Sequence, residues 1–286
     1  HKPMKFAHFY GGNSHQFPAD DTVTDYLIAS RATANLVRAR KWKNAITAYV
    51  ALTTGKKVTD FQKSDALQRA AGCARNLRDY RRAEELAGLI PIDAVAITVR
   101  MENLLAERKS SELVERFADE NLTKWPFWQI GAGAFARAKA YVFTKNGKTA
   151  EADLQTALAY TADTRIRTSI LATMGHNRES NLNDDDGALA AYRQNFESKT
   201  NIGGAEEFRS VQRAAAILSK QTKFDEAIAT FHVVDFEKQT GYWRNAMLLS
   251  RGDTLAAAGM KSKALADYNA VLADKNAQSA HLIQAE

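Results

Sequence analysis

A short amphipathic pattern recurs along the chain, and it constrains the fold more than any other feature. In its clearest copy, residues 223–231, Asp225 and Glu226 open a helix, and Ala227, Ile228 and Phe231 share one apolar face. The residues at the middle of the copies are Ala45, Ala83, Leu113, Ala152, Ala188, Ala227 and Ala264, separated by 38, 30, 39, 36, 39 and 37 residues. Seven copies at such a regular spacing predict a repeat architecture.

A second amphipathic stretch, rich in Ala and Leu, precedes most copies. These stretches are residues 26–37, 66–77, 94–105, 134–143, 208–218 and 243–257. Each repeat is therefore predicted to be a helix, a short turn and a second helix. Because one such hairpin cannot bury both of its faces, neighbouring hairpins are expected to stack into an α-solenoid. Residues 127–286 contain no proline, which also favours helices joined by short loops.

The pattern resembles the tetratricopeptide repeat family. The resemblance rests on small residues at the repeat centres, on aromatic residues four positions later, and on glycines before a second helix or within a first helix. The aromatic residues are Tyr49, Tyr192, Phe231 and Tyr268, and the glycines are Gly147, Gly252 and Gly259. The resemblance covers residues 24–274 and implies an all-α fold, a right-handed α-α superhelix of about seven hairpins.

Both ends of the chain differ from the repeats. Residues 1–22 mix aromatic residues with Gly, Pro and Asn, and they predict an extended N-terminal arm that packs on the first hairpin. Residues 23–286 are then expected to form a single tetratricopeptide-like repeat domain. Within it, residues 277–286 are typical of a closing helix with a polar outer face.

Three short motifs match the residue patterns of known binding sites but lack the structural context that those sites require. Residues 131–136 match the glycine pattern of dinucleotide-binding loops but lack the flanking strands, so we interpret them as small residues for helix packing. Residues 181–187 resemble a calcium loop, but placing Gly187 at its sixth position leaves the first and twelfth positions without acidic ligands. We expect Asp184 to Asp186 to cap a helix instead. Residues 251–253 spell an adhesion tripeptide inside a predicted helix.

The residues that could support catalysis or metal binding are scattered. None of the six histidines has a partner at the i, i+4 spacing of a helical metal site, and no Ser or Cys nucleophile with a plausible base and orienting group is readable from the sequence. His176, with Arg178 and Glu179, is expected in a loop between helices. We therefore predict a chain that is not an enzyme and that holds no metal and no cofactor.

The compartment is only loosely constrained. Cys73 is the only cysteine, so an internal disulfide is impossible. No apolar run approaches the ~20 residues that span a bilayer, so the chain is expected to be soluble. It begins at His1 rather than Met, and we favour an exported bacterial protein, periplasmic or secreted, over a cytosolic one.

The formal net charge of +6 is unevenly distributed along the chain. Residues 1–150 carry 24 Lys+Arg and 15 Asp+Glu, giving +9, whereas residues 151–286 carry 15 and 18, giving −3. The basic residues form no run typical of a nucleic-acid-binding arm, so nucleic acid is not the favoured partner. The basic excess either attracts an acidic peptide, an anionic polymer or a membrane surface, or forms a solvated helical face.

The family resemblance also implies which residues line a binding groove. In that family, positions 2, 5, 9, 12 and 13 of each repeat face the concave surface, and counting back from the repeat alanines gives a set of basic, amide and aromatic residues. The set is Arg38, Arg75, Asn76, Arg137, Tyr141, Lys145, Arg209, Gln212 and Lys220. Such groups suit an extended ligand that carries carboxylates, although they could also be merely solvated.

The function expected from these features is a non-catalytic scaffold that binds a protein or peptide, including an acidic one, in the groove. A helical accessory domain of an enzyme or of cell-envelope assembly or polymer machinery, with the catalytic part elsewhere, is the alternative. Binding of nucleic acid by the basic residues is a third possibility, and it would weaken steeply with salt.

Overall fold

The computed structural model describes residues 21–55, 57–197, 199 and 202–285, and side-chain positions are described from residue 25 onward. Over these residues the secondary structure consists of helices and turns, without a β-strand. The predicted arm, residues 1–22, lies outside the described residues except for Asp21 and Thr22, which begin the first helix. The predicted all-α fold class is confirmed for the part of the chain that the structure describes.

The chain divides into two compact units, which we call the front unit (His1–Asp163) and the rear unit (Thr164–Glu286). The helices of the front unit are α1 (Asp21–Arg38), α2 (Trp42–Ala51), α3 (Asp60–Asn76), α4 (Tyr80–Gly88), α5 (Asp93–Ala106), α6 (Ser110–Phe117), α7 (Phe127–Phe143) and α8 (Gly147–Tyr160). Those of the rear unit are α9 (Thr164–Asn181), α10 (Asp185–Gln194), α11 (Ala205–Lys220), α12 (Phe224–Ala229), α13 (Gly241–Ala257), α14 (Lys261–Leu272) and α15 (Ser279–Ala285). Each repeat copy corresponds to one even-numbered helix, preceded by its odd-numbered partner. A single repeat domain over residues 23–286 stays a prediction.

The residue at each repeat centre, which is Ala in six of the seven repeats, sets how closely the two helices of a hairpin approach. It lies four residues after the N-cap of the second helix, and its amide donates to the N-cap carbonyl, as from Ala45 to Lys41 at 2.9 Å and from Ala264 to Met260 at 3.1 Å. The residues at this position are all buried, and they are Ala45, Ala83, Leu113, Ala150, Ala188, Ala227 and Ala264. The centre predicted at Ala152 is wrong by two residues, because Ala152 is exposed and Ala150 packs in its place.

Every hairpin turn contains one residue in the left-handed region of backbone space. These residues lie five positions before each buried centre, and they are Arg40, Arg78, Arg108, Lys145, Asn183, Thr222 and Gly259, with φ between 53° and 77°. The left-handed residue reverses the chain direction, so that carbonyls near the end of the first helix still accept hydrogen bonds from backbone amides. For example, the amide of Lys41 donates to the Leu36 carbonyl at 2.9 Å, and the amide of Met260 donates to the Leu255 carbonyl at 2.8 Å.

The core of the front unit lies between successive hairpins. Tyr49, Leu67, Leu86, Val95 and Val99 are buried together where α2 to α5 meet. Aromatic and branched side chains of this kind remove large apolar areas from water, so each hairpin is stabilised mainly by its neighbours.

A second core lies in the rear unit. One buried cluster combines Tyr192 of α10, Phe208 and Leu218 of α11, Met247 of α13, and Phe231 of the 3-10 turn Thr230–Val233 that follows α12. At the C-terminal end, the closing helix predicted for residues 277–286 forms as α15, and its Ala285 packs in a smaller cluster with α13 and α14.

The structure places the three short motifs as the sequence predicted. Residues 131–136 lie within α7, where a Cβ on Gly133 would come within 2.2 Å of the Trp125 ring, so these small residues serve close packing. Asp184 is the N-cap of α10 and accepts from the Gly187 amide at 2.8 Å. Residues 251–253 lie within α13, where Gly252 faces the Tyr268 ring.

A second local prediction, besides the repeat centre at Ala152, is wrong. His176, Arg178 and Glu179 do not lie in a loop but in the last turns of α9. The sequence of α9 is polar, and few of its side chains are buried, so its apolar periodicity is weak. Among the described helices, none is both long and apolar enough to cross a lipid bilayer.

Candidate functional site

A charged network on the front unit includes one of the predicted groove residues. Arg75, near the end of α3, donates from Nη2 to Glu102 Oε2 at 2.6 Å and from Nη1 to Asn103 Oδ1 at 3.0 Å. Asn103 in turn donates to Glu84 Oε2 at 3.2 Å, and Arg100 donates to Glu84 Oε1 at 3.0 Å. The network therefore joins α3, α4 and α5 through partly buried, charge-assisted hydrogen bonds.

Two further predicted residues lie at the ends of the first helices. Arg38 is exposed at the end of α1 and donates to Asn35 Oδ1 at 2.5 Å. Asn76 is exposed at the end of α3, and its amide group donates to the Gly72 carbonyl at 3.0 Å. Among the described residues, both side chains bond only within their own helix, so a ligand could contact them without breaking a long-range interaction.

Arg137 is held inside the fourth hairpin. Its Nε and Nη2 donate to the two carboxylate oxygens of Asp153 at 2.7 and 2.9 Å, and Nη1 donates to the Glu120 carbonyl at 2.8 Å. The hydrogen-bonded Asp153 carboxylate raises the pKa of the Arg137 guanidinium. The seventh hairpin repeats this pair, since Arg251 donates to both carboxylate oxygens of Asp267 at 2.8 and 2.7 Å. This bidentate pair thus links the two helices of a hairpin.

The shifted centre of the fourth repeat changes which residues of α7 correspond to the groove positions. Tyr141, one of the predicted residues, is buried, whereas Lys145 is exposed in the hairpin turn. Counting back from Ala150 instead of Ala152 replaces Arg137, Tyr141 and Lys145 with three other residues: Phe135, Lys139 and Phe143. Leu154 and Ala157, four and seven residues after Ala150, could have revealed this register in the sequence.

Lys139 is the residue that the sequence reasoning missed. Burial lowers the pKa of its ammonium group, with Glu102 and Arg75 as its charged neighbours. The Nζ atom lies 4.6 Å from the centre of the Phe135 ring, which favours the charged form only weakly. Within the described residues, the structure gives Lys139 no hydrogen bond and no ion pair.

The rear unit holds the other three predicted residues. Arg209 is mostly exposed on α11, donates to Glu206 Oε1 at 2.6 Å and lies 5.6 Å from the Trp243 ring. Gln212 donates to the Ala246 carbonyl at 3.2 Å and so joins α11 to α13. Lys220 is exposed and pairs with Asp185 Oδ2 at 2.6 Å.

Neither an enclosed active site nor a metal centre stands out in the described part of the chain. A shallow depression on the front unit is lined by Tyr80, Arg81, Glu84, Glu85 and Glu107, whose charges are mixed. Across residues 21–55, 57–197, 199 and 202–285, no group of three His, Cys, Asp or Glu side chains is placed to hold a metal ion. The candidate functional surface is therefore the face of first helices that carries Arg75, Glu102 and Lys139.

Comparison with known proteins gives a structural likeness and no sequence relative. No family model matches the chain, and no curated protein matches it. The C-terminal part of a TPR repeat-containing protein from Cytophaga hutchinsonii has a TM-score of 0.50 and 13% identity, covering 90% of this chain and 99% of that chain. A tetratricopeptide repeat protein from Parabacteroides merdae has a TM-score of 0.46 and 11% identity, covering 93% and 98%. The TPR2AB domain of yeast Sti1, solved with an HSP90 peptide, has a TM-score of 0.28 and 14% identity, covering 87% and 90%. The first of these likenesses confirms the tetratricopeptide-like fold predicted from the repeats.

Proposed function

We propose that this chain is a non-catalytic interaction scaffold, and that it binds an acidic peptide or protein segment on the faces of its first helices. One observation carries the proposal. Arg75, Glu102 and Lys139, from α3, α5 and α7, are close enough to influence each other's charge, yet Lys139 has no bonded partner among the described residues. A partly buried ammonium group without a partner is costly, and a ligand carboxylate would relieve that cost.

The surroundings of Lys139 favour a peptide over a free ion. Phe135 lies against its ammonium, and Phe143, one helical turn further along α7, is 73% exposed. Apolar contacts beside a carboxylate-binding cation allow a peptide to bind through one acidic and one apolar side chain. We therefore place Phe135, Lys139 and Phe143 in the binding surface together with Arg38, Arg75 and Asn76.

The rear unit offers a second surface of the same kind. Arg209 lies over Trp243, which itself stacks on Phe208 with ring centres 5.4 Å apart. A guanidinium held over an aromatic ring still has donors for a carboxylate. We include Gln212 and Lys220 in this second surface, although their bonds to Ala246 and Asp185 would have to be exchanged for bonds to the ligand.

A capture experiment with matched variants tests the proposal. The chain is immobilised, bound proteins are collected from a native lysate, and Lys139→Met is compared with the wild type. Methionine keeps the apolar stem and removes the charge, so the variant should unfold at the same temperature as the wild type or higher. Lys148→Met, on the exposed surface of α8, is the control. We expect partners that the control retains to be lost from Lys139→Met, and identical partner lists would contradict the assignment.

A further inference from the structure

The front unit places one basic residue at the turn of each of its four hairpins. These residues are Arg40, Arg78, Arg108 and Lys145, and we call them the turn-edge row. Each is exposed, and no side-chain hydrogen bond or ion pair links any of them to another described residue. Four basic groups at equivalent positions are thus left available to solvent.

The stacking of the hairpins puts the row on one edge of the unit. Helices α1, α3, α5 and α7 contact one another in that order, and each is followed by a second helix that runs back. Their C-terminal ends therefore lie side by side, separated by the roughly 8–10 Å that is typical of packed helices. The turn-edge row is a line of cations about 10 Å apart.

The turn itself does not require a basic residue. The rear unit builds the same left-handed turn with Asn183, Thr222 and Gly259. Gly and Asn are the residues that this backbone conformation favours, and a bulkier side chain there is disfavoured. The front unit therefore carries Arg or Lys at all four turns, although the left-handed backbone conformation there favours Gly or Asn.

The groups beside the row favour a narrow ligand over a broad anionic surface. Two carboxylates, those of Asp79 and Glu107, directly adjoin Arg78 and Arg108 in sequence. The exposed Asp79 would repel a planar lipid surface, whereas Glu107 is paired with Lys109 Nζ at 2.6 Å. A thin chain that runs along the row can avoid them. Single-stranded nucleic acid would also be narrow, but it binds by stacking its bases on aromatic side chains, and among the aromatic residues that flank the row only Phe143 is mostly exposed in the described structure.

The spacing of the row matches an extended polypeptide. An extended chain in the polyproline II conformation has three residues per turn and advances about 3.1 Å per residue, so every third side chain returns to the same face after about 9 Å. Three of the four cations are arginines, whose planar forks bind carboxylates through two parallel hydrogen bonds. We propose that the turn-edge row binds an extended acidic polypeptide segment with a carboxylate at about every third residue. The row adjoins the helix face that carries Lys139, since Arg38, Asn76 and Phe143 of that face each lie two residues before a member of the row, but Lys139 itself is not part of the row.

A labelled peptide provides the test. The probe is a fluorescent peptide of about 12 residues with Glu at every third position and Ser elsewhere, and its Gln analogue is the neutral control. Binding to the full chain is followed by fluorescence anisotropy at low salt. The row variant carries Arg40→Asn, Arg78→Asn, Arg108→Asn and Lys145→Asn, because Asn tolerates the left-handed conformation and keeps the fold.

A matched variant removes four charges from elsewhere. Lys223→Gln, Lys261→Gln, Lys263→Gln and Lys275→Gln change exposed residues of the rear unit. If each exposed ion pair contributes a factor of two to three, the row variant should bind the Glu peptide about 30-fold more weakly than the wild type. The rear-unit variant should lose less than about threefold.

Several results would overturn the proposal. They are no binding of the Glu peptide by the wild type, equal losses in the two variants, or equal binding of the Gln analogue. Tighter row-dependent binding of an oligothymidylate or of vesicles containing phosphatidylserine would also overturn it, in favour of those ligands. The row variant is tested with the Glu peptide and Lys139→Met is tested by capture from a lysate, so this surface and the proposed groove fail or succeed separately.

Discussion

Replacing Arg137 with Met should destabilise the front unit strongly, although Arg137 resembles a surface residue in the sequence. The side chains of Arg137 and Asp153 are only 12% and 10% exposed. In addition to the two bonds to Asp153, Nη1 lies 2.8 Å from the Glu120 carbonyl and 3.3 Å from the carbonyls of Phe117 and Ala118. The substitution therefore leaves a buried carboxylate without its bidentate donor, and it removes one donor from each of three carbonyls, of which those of Phe117 and Glu120 still accept from backbone amides.

The magnitude follows from the burial of the pair. Removing one partner of a buried ion pair costs about 3–5 kcal/mol, because the remaining charge stays desolvated and uncompensated. That is a large share of the ~5–15 kcal/mol that stabilises a typical folded domain. Removing both partners is far less costly, so Arg137→Met with Asp153→Leu should be at least about 2 kcal/mol more stable than Arg137→Met alone.

Urea-induced unfolding followed by circular dichroism measures these differences. Arg116→Met is the control, because Arg116 and its partner Glu112 are 47% and 42% exposed and their i, i+4 pair is worth about 0.5 kcal/mol or less. A cost below about 1 kcal/mol for Arg137→Met, or a double variant no more stable than the single one, would refute the reasoning. Under conditions where Arg137→Met remains folded, it should retain the partners that depend on Lys139.

The remaining predictions concern the turns and the rear unit. Thr222→Gly should stabilise the fold by about 1 kcal/mol, because the β-branched Thr222 is held at φ 59°. Gly259→Ala should cost about 1–2 kcal/mol, because Gly259 has φ 77°, although the added methyl would have open space around it. Unfolding temperatures that shift in the same direction for both variants would contradict this reasoning. Gly252→Ala should cost about 1–3 kcal/mol in urea unfolding, because its Cβ would lie 2.5 Å from the Tyr268 ring, and a neutral result would show that the ring moves freely. Burial and the hydrogen bond to Asp253 raise the pKa of Tyr268 to about 12, so its contribution to stability is complete below about pH 10 and is lost as the pH rises toward 12. Tyr268→Phe should flatten that alkaline loss, and an unchanged pH profile of thermal unfolding would count against the assignment.

The hairpins were predictable from the sequence because their signals are local. A buried Ala, an aromatic residue four positions later and carboxylates in the first turn all lie within one short segment, as in residues 223–231, where Phe231 follows α12 in a 3-10 turn. The sequence was less informative where two residues satisfy the same pattern. Ala150 and Ala152 are both small and only two residues apart, and the structure shows that Ala150 is the buried one. Helix α9 was missed because Ile170, Leu171 and Met174 are its only large buried apolar side chains among the described residues.

The sequence by itself determined the repeat, the all-α fold and the uneven charge, since each follows from residue types at short spacings. Only the tertiary structure decided which basic side chains form ion pairs within the chain. Arg75, Arg137 and Lys139 look equivalent in sequence, but Arg75 meets Glu102 across 27 residues, Arg137 meets Asp153 across 16, and the structure gives Lys139 no bonded partner among the described residues. Helical periodicity is encoded within a single helix, whereas ion pairing and desolvation depend on residues that only the stacking of hairpins brings together.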